Sequence, residues 1–178
     1  IADMHKSYKR YLNMRDVCVA QQQPADIADI HVRREQGYTT TFYICCNPWF
    51  PNTFSYSYPF EAELLGWYGL SCDYDGMLRW AYNSWPLDPA YDSRFGNWSS
   101  GDTYLIYPYA RSSVRFERLI DGIEVAEKVR TLRSLGVDTH EVEVALTTIS
   151  NTNINDPEEP WLQILRDSRA ALDAVSRK

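Results

Sequence analysis

The sequence predicts an α/β fold with parallel strands, followed by a helical C-terminal region. Short apolar segments at 16–20, 39–46 and 77–82 have the composition of buried strands, and helix-like segments lie between and after them. After Gly136 the apolar spacing is helical. Parallel neighbours need a crossover and helices supply it, so this alternation favours a parallel sheet.

The first strand–helix unit is preceded by a short N-terminal segment. The first twelve residues carry Met4, Tyr8, Tyr11 and Leu12 at helical spacing, which predicts the end of an amphipathic helix. Asp16 to Ala20 is expected to be a buried strand. Pro24 then opens a predicted helix that runs through Gln36, with Gly37 as its C-terminal stop.

The next two strands repeat the arrangement. Thr39 to Cys46 is a predicted strand that ends in the loop 47–52, and a helix is expected from Pro59 to about Ser71. A third strand is expected from Met77 to Tyr82.

A long loop follows the third strand, from Asn83 to Asp102, and long ordered loops are usually functional. Thr103 to Tyr107 is a predicted short strand, and Ser112 or Ser113 is expected to cap a helix that reaches about Leu135. We expect residues 1–135 to form one domain and residues 136–178 a helical extension.

Composition excludes several classes of function. The net charge is -6 and no basic face with interleaved aromatics occurs, so we expect no nucleic-acid partner. The sequence contains no run of 18 apolar residues, so it predicts no helix that spans a membrane. The four cysteines lack CxxC spacing and the three histidines are far apart, so we expect no metal and no cofactor. The residues alone do not indicate a compartment.

Aromatic residues make up 14% of the chain, and five of the six Trp lie between Trp49 and Trp98. Such clustering suits a carbohydrate site, and an aromatic core explains it equally well.

Five separated segments together resemble the catalytic domain of glycoside hydrolase family 123. They are YICCNPWFPN at 43–52, LGW at 65–67, DGMLRWAYNSW at 75–85, GDTYLIYP at 101–108 and SSVRFE at 112–117. They occur in order and with sensible spacing between Asp16 and Arg133.

The resemblance implies a (β/α)8 barrel that hydrolyses terminal β-linked N-acetylgalactosamine, with the substrate's acetamido group as nucleophile. An adjacent Asp-Glu pair would supply the catalytic acids, and this sequence contains no Asp-Glu dipeptide. Because such a barrel needs about 250 residues, we expect about three βα units of its C-terminal half here, with the pair upstream of Ile1 and no catalytic residue in this chain. A bacterial, secreted or periplasmic enzyme is suggested by the resemblance alone.

Candidate sugar-contacting residues lie at the expected ends of the strands, where active sites of this barrel are found. Trp80 is a candidate floor under a pyranose ring, with a Trp packed between strand and helix as the alternative. Tyr82 shares its side of the predicted strand, and Asn83 offers amide groups to sugar hydroxyls.

Four further candidates are Tyr43, Trp49, Asn52 and Trp85. Tyr43 would face the barrel interior or stack on a helix, while Trp49 and Asn52 lie on the loop after the second strand. Trp85 lies on the long loop. Asp88 and Asp102 are expected to organise turns, and the pairs Glu61 with Glu63 and Glu158 with Glu159 to lie on a solvated surface.

Three functions compete. The first is the C-terminal part of a hexosaminidase-type glycosidase that becomes active only with its N-terminal half, or needs a second copy to cover its edges. The second is a carbohydrate-binding or scaffold module without catalysis. The third is an independent α/β domain, which predicts a sheet covered on both faces and no large exposed apolar edge.

Overall fold

A computed structural model describes residues 2–3, 7–10 and 13–177 of the chain. The described strands form one parallel sheet in the order β1-β2-β3-β4. Their bounds are Ala2–Asp3 (β1), Asp16–Ala20 (β2), Thr39–Ile44 (β3) and Gly76–Arg79 (β4). The predicted α/β class with parallel strands is confirmed.

Five α-helices accompany the sheet in the described residues. Their bounds are Ile27–Glu35 (α1), Pro59–Ser71 (α2), Val114–Ser134 (α3), His140–Asn151 (α4) and Trp161–Ser176 (α5). Gly37 follows α1 with a φ of 74°, and the Ser113 side chain caps α3 by accepting from the Phe116 amide at 3.2 Å. None of the described helices is long and apolar enough to cross a membrane.

The N-terminal helix prediction is wrong in the described residues. Ala2–Asp3 forms a strand that pairs with Cys18 and Val19 of β2, and Ser7–Lys9 makes a single 3-10 turn. Met4, Tyr11 and Leu12 lie outside the described residues. A helix this short is marginal by itself, and the edge of β2 offers backbone hydrogen bonds to an extended segment instead.

Two further strand predictions need correction. β4 ends at Arg79, so Trp80, Tyr82 and Asn83 lie on the following loop and the period-two argument for Tyr82 does not apply. Thr103 to Tyr107 is not a strand: Tyr104 makes one isolated antiparallel pairing with Asn83, and Tyr107 makes one with Arg111. The long loop folds back on itself, so Tyr104 and Tyr107 pair with residues outside the sheet.

The main core lies on the helix side of the sheet, with α2 at its centre. Leu64 and Trp67 of α2 share one apolar cluster with residues of α3, α4 and α5. A Cβ on Gly66 would lie 2.3 Å from the Gly122 carbonyl oxygen, so the backbones of α2 and α3 touch at these two glycines. The C-terminal helices therefore pack directly on the helices of the α/β part.

The opposite face of the sheet is partly exposed at β3 and β4, whereas Cys18 and Ala20 of β2 on that face are buried. Tyr43 pairs with Leu78 on this face, and Leu78 is 51% exposed. Beside β4, an apolar groove of about 490 Å³ runs between that strand, α2 and α3. The independent-domain hypothesis predicted a covered sheet without an exposed apolar edge, and the described residues do not fit that expectation.

Candidate functional site

The carboxyl ends of β2, β3 and β4 meet at one edge of the sheet because the strands are parallel and in register. The residues that follow these strands are Gln21, Cys45 and Trp80. Ligands of parallel α/β sheets bind at this edge, so the loops after the strands form the candidate site.

Trp80 is accessible at this edge and lies against a second indole. Its ring centroid is 4.8 Å from that of Trp98, with 47° between the ring planes. Trp80 is 40% exposed and Trp98 is 45% exposed. Trp98 is not among the site residues predicted from the sequence, although it lies on the long loop that is predicted to be functional.

Below Trp80, a buried ion pair joins the ends of two strands to the long loop. The guanidinium of Arg79 donates to the Asp102 carboxylate at 2.6 Å and to the Ile44 carbonyl oxygen at 3.0 Å. Both side chains are almost fully buried, and burial lowers the pKa of Arg79. Asp102 also makes the expected turn, with its amide donating to the Ser99 carbonyl oxygen at 2.9 Å, but its carboxylate has this further role.

Arg115 of α3 is a second buried arginine that binds the same loop. Arg115 Nη1 donates to the carbonyl oxygens of Thr53 at 2.5 Å and Gly101 at 2.6 Å. Its guanidinium lies 4.9 Å from the centre of the Tyr104 ring. Gly101 has a φ of 78°, and a Cβ there would lie 2.5 Å from Arg115 Nη1, so a glycine is required.

The loop after β3 carries one exposed and one buried candidate. Trp49 is 62% exposed. Asn52 is fully buried: its side-chain amide donates to the carbonyl oxygens of Cys45 at 2.8 Å and Pro48 at 2.6 Å, and its carbonyl accepts from the Thr53 amide at 2.7 Å. These bonds hold the loop in shape beneath Trp49.

The remaining candidates are distributed around the edge. Tyr43 is half-buried on the partly exposed face of β3, and Asn83 is exposed and pairs through its backbone with Tyr104. Tyr82 packs edge-on against Phe116 at 5.8 Å and lines the groove beside β4. The Trp85 indole N–H donates to the Ile106 carbonyl oxygen at 2.7 Å, which leaves the ring half-buried.

One of the two acidic pairs differs from expectation, whereas Glu158 is exposed and Glu159 is half-buried. Glu61 and Glu63 are buried, not solvated. Glu61 accepts from the amides of Asn52 at 2.9 Å and Tyr58 at 2.7 Å, and burial raises its pKa despite these bonds. Glu63 accepts from the Trp67 indole and pairs with Arg169 of α5. Glu61 therefore joins the start of α2 to the loop after β3, and Glu63 serves the packing of α2 against α5.

The described residues contain no group of three or more His, Cys, Asp or Glu arranged to hold a metal ion. His31 pairs with Asp73 at 2.7 Å, His140 begins α4, and His5 lies outside the described residues. The accessible side chains at this edge are instead aromatic rings, such as that of Trp80, together with the Asn83 amide and the Tyr82 phenol.

Comparison with solved structures supports the fold. A family 123 glycoside hydrolase from Clostridium perfringens, analysed for glycolipid glycan hydrolysis, matches with a TM-score of 0.83 at 21% sequence identity. The match covers 99% of this chain and 34% of that chain, so the chain spans about a third of that protein. No curated protein matches the chain significantly.

Comparison with protein families gives a match over most of the chain. The family model for the glycoside hydrolase 123 catalytic domain matches residues 1–132 of 178, a region that includes β1 to β4, the long loop and most of α3. The resemblance carried by the five segments is thereby confirmed, and the chain belongs to glycoside hydrolase family 123.

Proposed function

We propose that this chain is the C-terminal part of a glycoside hydrolase catalytic domain and supplies one wall of its sugar-binding pocket. The observation that carries the proposal is the accessible Trp80 at the carboxyl edge of a parallel sheet, beside Trp98. The C–H bonds of a pyranose ring pack on an indole face, and polar groups around it fix the sugar's orientation.

The other candidates have different parts in this proposal. Trp49 and Asn83 contact the sugar or its neighbour because both are exposed at the edge, and Tyr43 contacts it from the partly exposed face of β3. Tyr82 and Trp85 line the outer rim. Asn52 acts indirectly, since its side-chain amide is bound within the loop that presents Trp49.

The proposed substrate is a terminal β-linked N-acetylhexosamine of the N-acetylgalactosamine type. The acetamido oxygen of the substrate attacks its own anomeric carbon, and water then opens the intermediate with retention of configuration. An Asp steers the acetamido group and a Glu protonates the leaving oxygen. We propose that this pair belongs to the part of the catalytic domain that precedes the present chain.

The preceding part is also the proposed partner of the open edge. An unpaired strand edge and an apolar groove are unfavourable in water, and a further strand and helix would cover both. β4 has such an edge, and the groove beside it is lined by Leu119, Ile123 and Ala126 of α3. With β1 included, we propose that the four strands are the fifth to eighth of a (β/α)8 barrel.

Complementation tests the enzyme hypothesis. The chain would be produced alone and together with the preceding part of its reading frame, and release of nitrophenol from nitrophenyl β-N-acetylgalactosaminide would be followed. We expect no activity from the chain alone, activity from the combination, and loss of that activity with Trp80→Ala. Leu162→Ala on α5, a residue that is 52% exposed, is the matched control. Full activity of the preceding part alone would refute the proposal.

A carbohydrate-binding module without catalysis is the second candidate, and the absence of an Asp-Glu dipeptide from the 178 residues fits it as well as it fits an enzyme whose pair lies upstream. It predicts that the chain binds the sugar through Trp80 while the combination remains inactive. A reading frame whose preceding part lacks an Asp-Glu pair would support this candidate over the enzyme.

A further inference from the structure

Two adjacent cysteines lie at the carboxyl end of β3 and have no part in the proposed sugar contacts. The Sγ atoms of Cys45 and Cys46 are 3.9 Å apart, and both residues are half-buried free thiols. The other two cysteines differ in position: Cys18 is buried within β2, and Cys72 follows the last turn of α2.

The surrounding loop holds the two thiols together. The Cys45 amide donates to the Asn47 carbonyl oxygen at 3.3 Å, so the chain turns back immediately after the strand. The Asn47 side-chain amide lies 3.9 Å from Cys46 Sγ, and buried Asn52 donates to the Cys45 carbonyl oxygen at 2.8 Å. The backbone on either side of the pair is thus fixed, and both residues are only half-buried.

We propose that Cys45 and Cys46 form a reversible oxidation site that closes a vicinal disulfide by exchange with a small-molecule disulfide such as oxidised glutathione. The thiolate of Cys45 attacks one sulfur of the small disulfide, forms a mixed disulfide and releases one thiol. Cys46 then attacks the Cys45 sulfur and releases the second thiol. The two cysteines lose two electrons and two protons, and the reduced small molecule carries both away as two thiols.

The environment of the sulfurs bears on the order of the two steps. Burial, with the neighbouring Cys45 as a further cause, raises the pKa of the Cys46 thiol, which suits Cys46 to the second step, within the mixed disulfide. Burial also raises the pKa of Cys18 and Cys72, which disfavours reaction at those positions. We assign the first attack to Cys45, and Cys46, whose Sγ lies 3.9 Å from that of Cys45, resolves the mixed disulfide.

The resulting bridge should reopen easily. Adjacent Cα atoms are only about 3.8 Å apart, whereas disulfide-linked Cα atoms are usually about 4.4–6.8 Å apart. A bridge between neighbours is constrained by this mismatch, and constrained disulfides are reduced readily by dithiols. The site is therefore expected to cycle between the two states.

Peptide mapping of the folded 178-residue chain tests the proposal. The chain would be incubated with oxidised glutathione, unfolded, alkylated with N-ethylmaleimide, and cut with trypsin and a glutamate-specific protease. Cleavage after Glu35 and Glu61 separates the Cys45–Cys46 peptide from Cys72. We expect this peptide to lack two hydrogen atoms and to carry no alkyl group, while Cys18 and Cys72 are alkylated. Treatment with dithiothreitol should restore both thiols.

Single variants assign the steps. Cys46→Ser should stop at a stable glutathione adduct on Cys45, and Cys72→Ser, the matched control, should leave the bridge unchanged. A persistent adduct on the unmodified sequence, two alkylated thiols, or a bridge from either cysteine to Cys18 or Cys72 would overturn the proposal. The mapping of the unmodified chain stands by itself if a variant does not fold.

Discussion

The indole of Trp80 lies against the indole of Trp98, with ring centroids 4.8 Å apart. The two residues come from different segments: Trp80 directly follows β4, and Trp98 lies at the far end of the long loop. The loop returns to the sheet edge because Arg79 and Arg115 bind its residues Asp102 and Gly101. Two buried arginines thus create the aromatic surface from segments that are distant along the chain.

Replacement of Trp80 by Ala should abolish sugar binding at a small cost in stability. Truncation of a buried Trp costs about 3–5 kcal/mol, and Trp80 should lose less because it is 40% exposed. Trp67→Ala, at a fully buried position, is the control that should reach that range. Urea unfolding of the chain would measure the stability, and calorimetric titration of the chain combined with its preceding part with N-acetylgalactosamine would measure the binding. A loss of stability as large as that of Trp67→Ala, with binding retained, would contradict the pocket assignment.

Replacement of Arg79 by Met should destabilise the chain strongly. The Asp102 carboxylate would remain buried without its partner, and breaking a buried pair costs about 3–5 kcal/mol. Arg94→Met removes the exposed pair with Asp92 in the same loop, and that change should cost much less because solvent screens the pair. Urea unfolding of the two variants compares them directly, and equal losses would show that the buried pair contributes no more than a surface pair.

Gly101→Ala should be more destabilising than Gly96→Ala, although both glycines lie in the long loop with positive φ. A left-handed conformation costs a non-glycine residue about 1–2 kcal/mol at either position. At Gly101 the new Cβ would also lie 2.5 Å from Arg115 Nη1 and 2.7 Å from the Ser55 amide nitrogen, whereas nothing lies within 4 Å at Gly96. Thermal unfolding of the two variants measures the difference. Similar melting temperatures would argue against close packing of Gly101 on Arg115 and Ser55.

Glu143 should contribute to stability in a pH-dependent manner. Arg133 on α3 binds its carboxylate through two nitrogens, at 2.9 and 2.8 Å, and lowers the pKa of Glu143 below its ordinary value of 4.5. The folded state therefore favours the charged form, so the stabilisation is present above pH 4.5 and is lost as the pH falls through the lower folded value.

Glu143→Gln tests this dependence. Urea unfolding over the acid range should show a flatter decline in stability for the variant than for the unmodified chain. Glu158→Gln, at an exposed position, is the matched control and should leave the slope unchanged. A Glu143→Gln slope equal to that of the unmodified chain would mean that the ion pair between α3 and α4 contributes nothing.

Predictions from local pattern succeeded where local chemistry decides. The strand Asp16–Ala20, the helix Pro59–Ser71 and the cap at Ser113 all occur as expected. They failed where a distant segment decides: β1 exists because β2 pairs with it, and Glu63 is buried because Arg169 of α5 reaches it. Neither partner could be identified from the neighbouring residues.

In the candidate site as well, local pattern predicted some features, and distant segments decided others. The position of Trp80 after a buried strand was sufficient to select it, because parallel strands end at a common edge. Its contact with Trp98 depends on the path of a long loop, and the burial of Asn52 depends on how the preceding loop closes over it.

By itself, the sequence determined the parallel α/β class and the family, and it predicted the edge that is proposed for ligand binding, since these follow from apolar periodicity and from short segments of characteristic residues. Only the tertiary structure decided which face of the sheet stays partly exposed, which carboxylates are buried and which indoles meet. Those features are set by contacts between residues that are far apart in the chain, and a local pattern carries no information about such contacts.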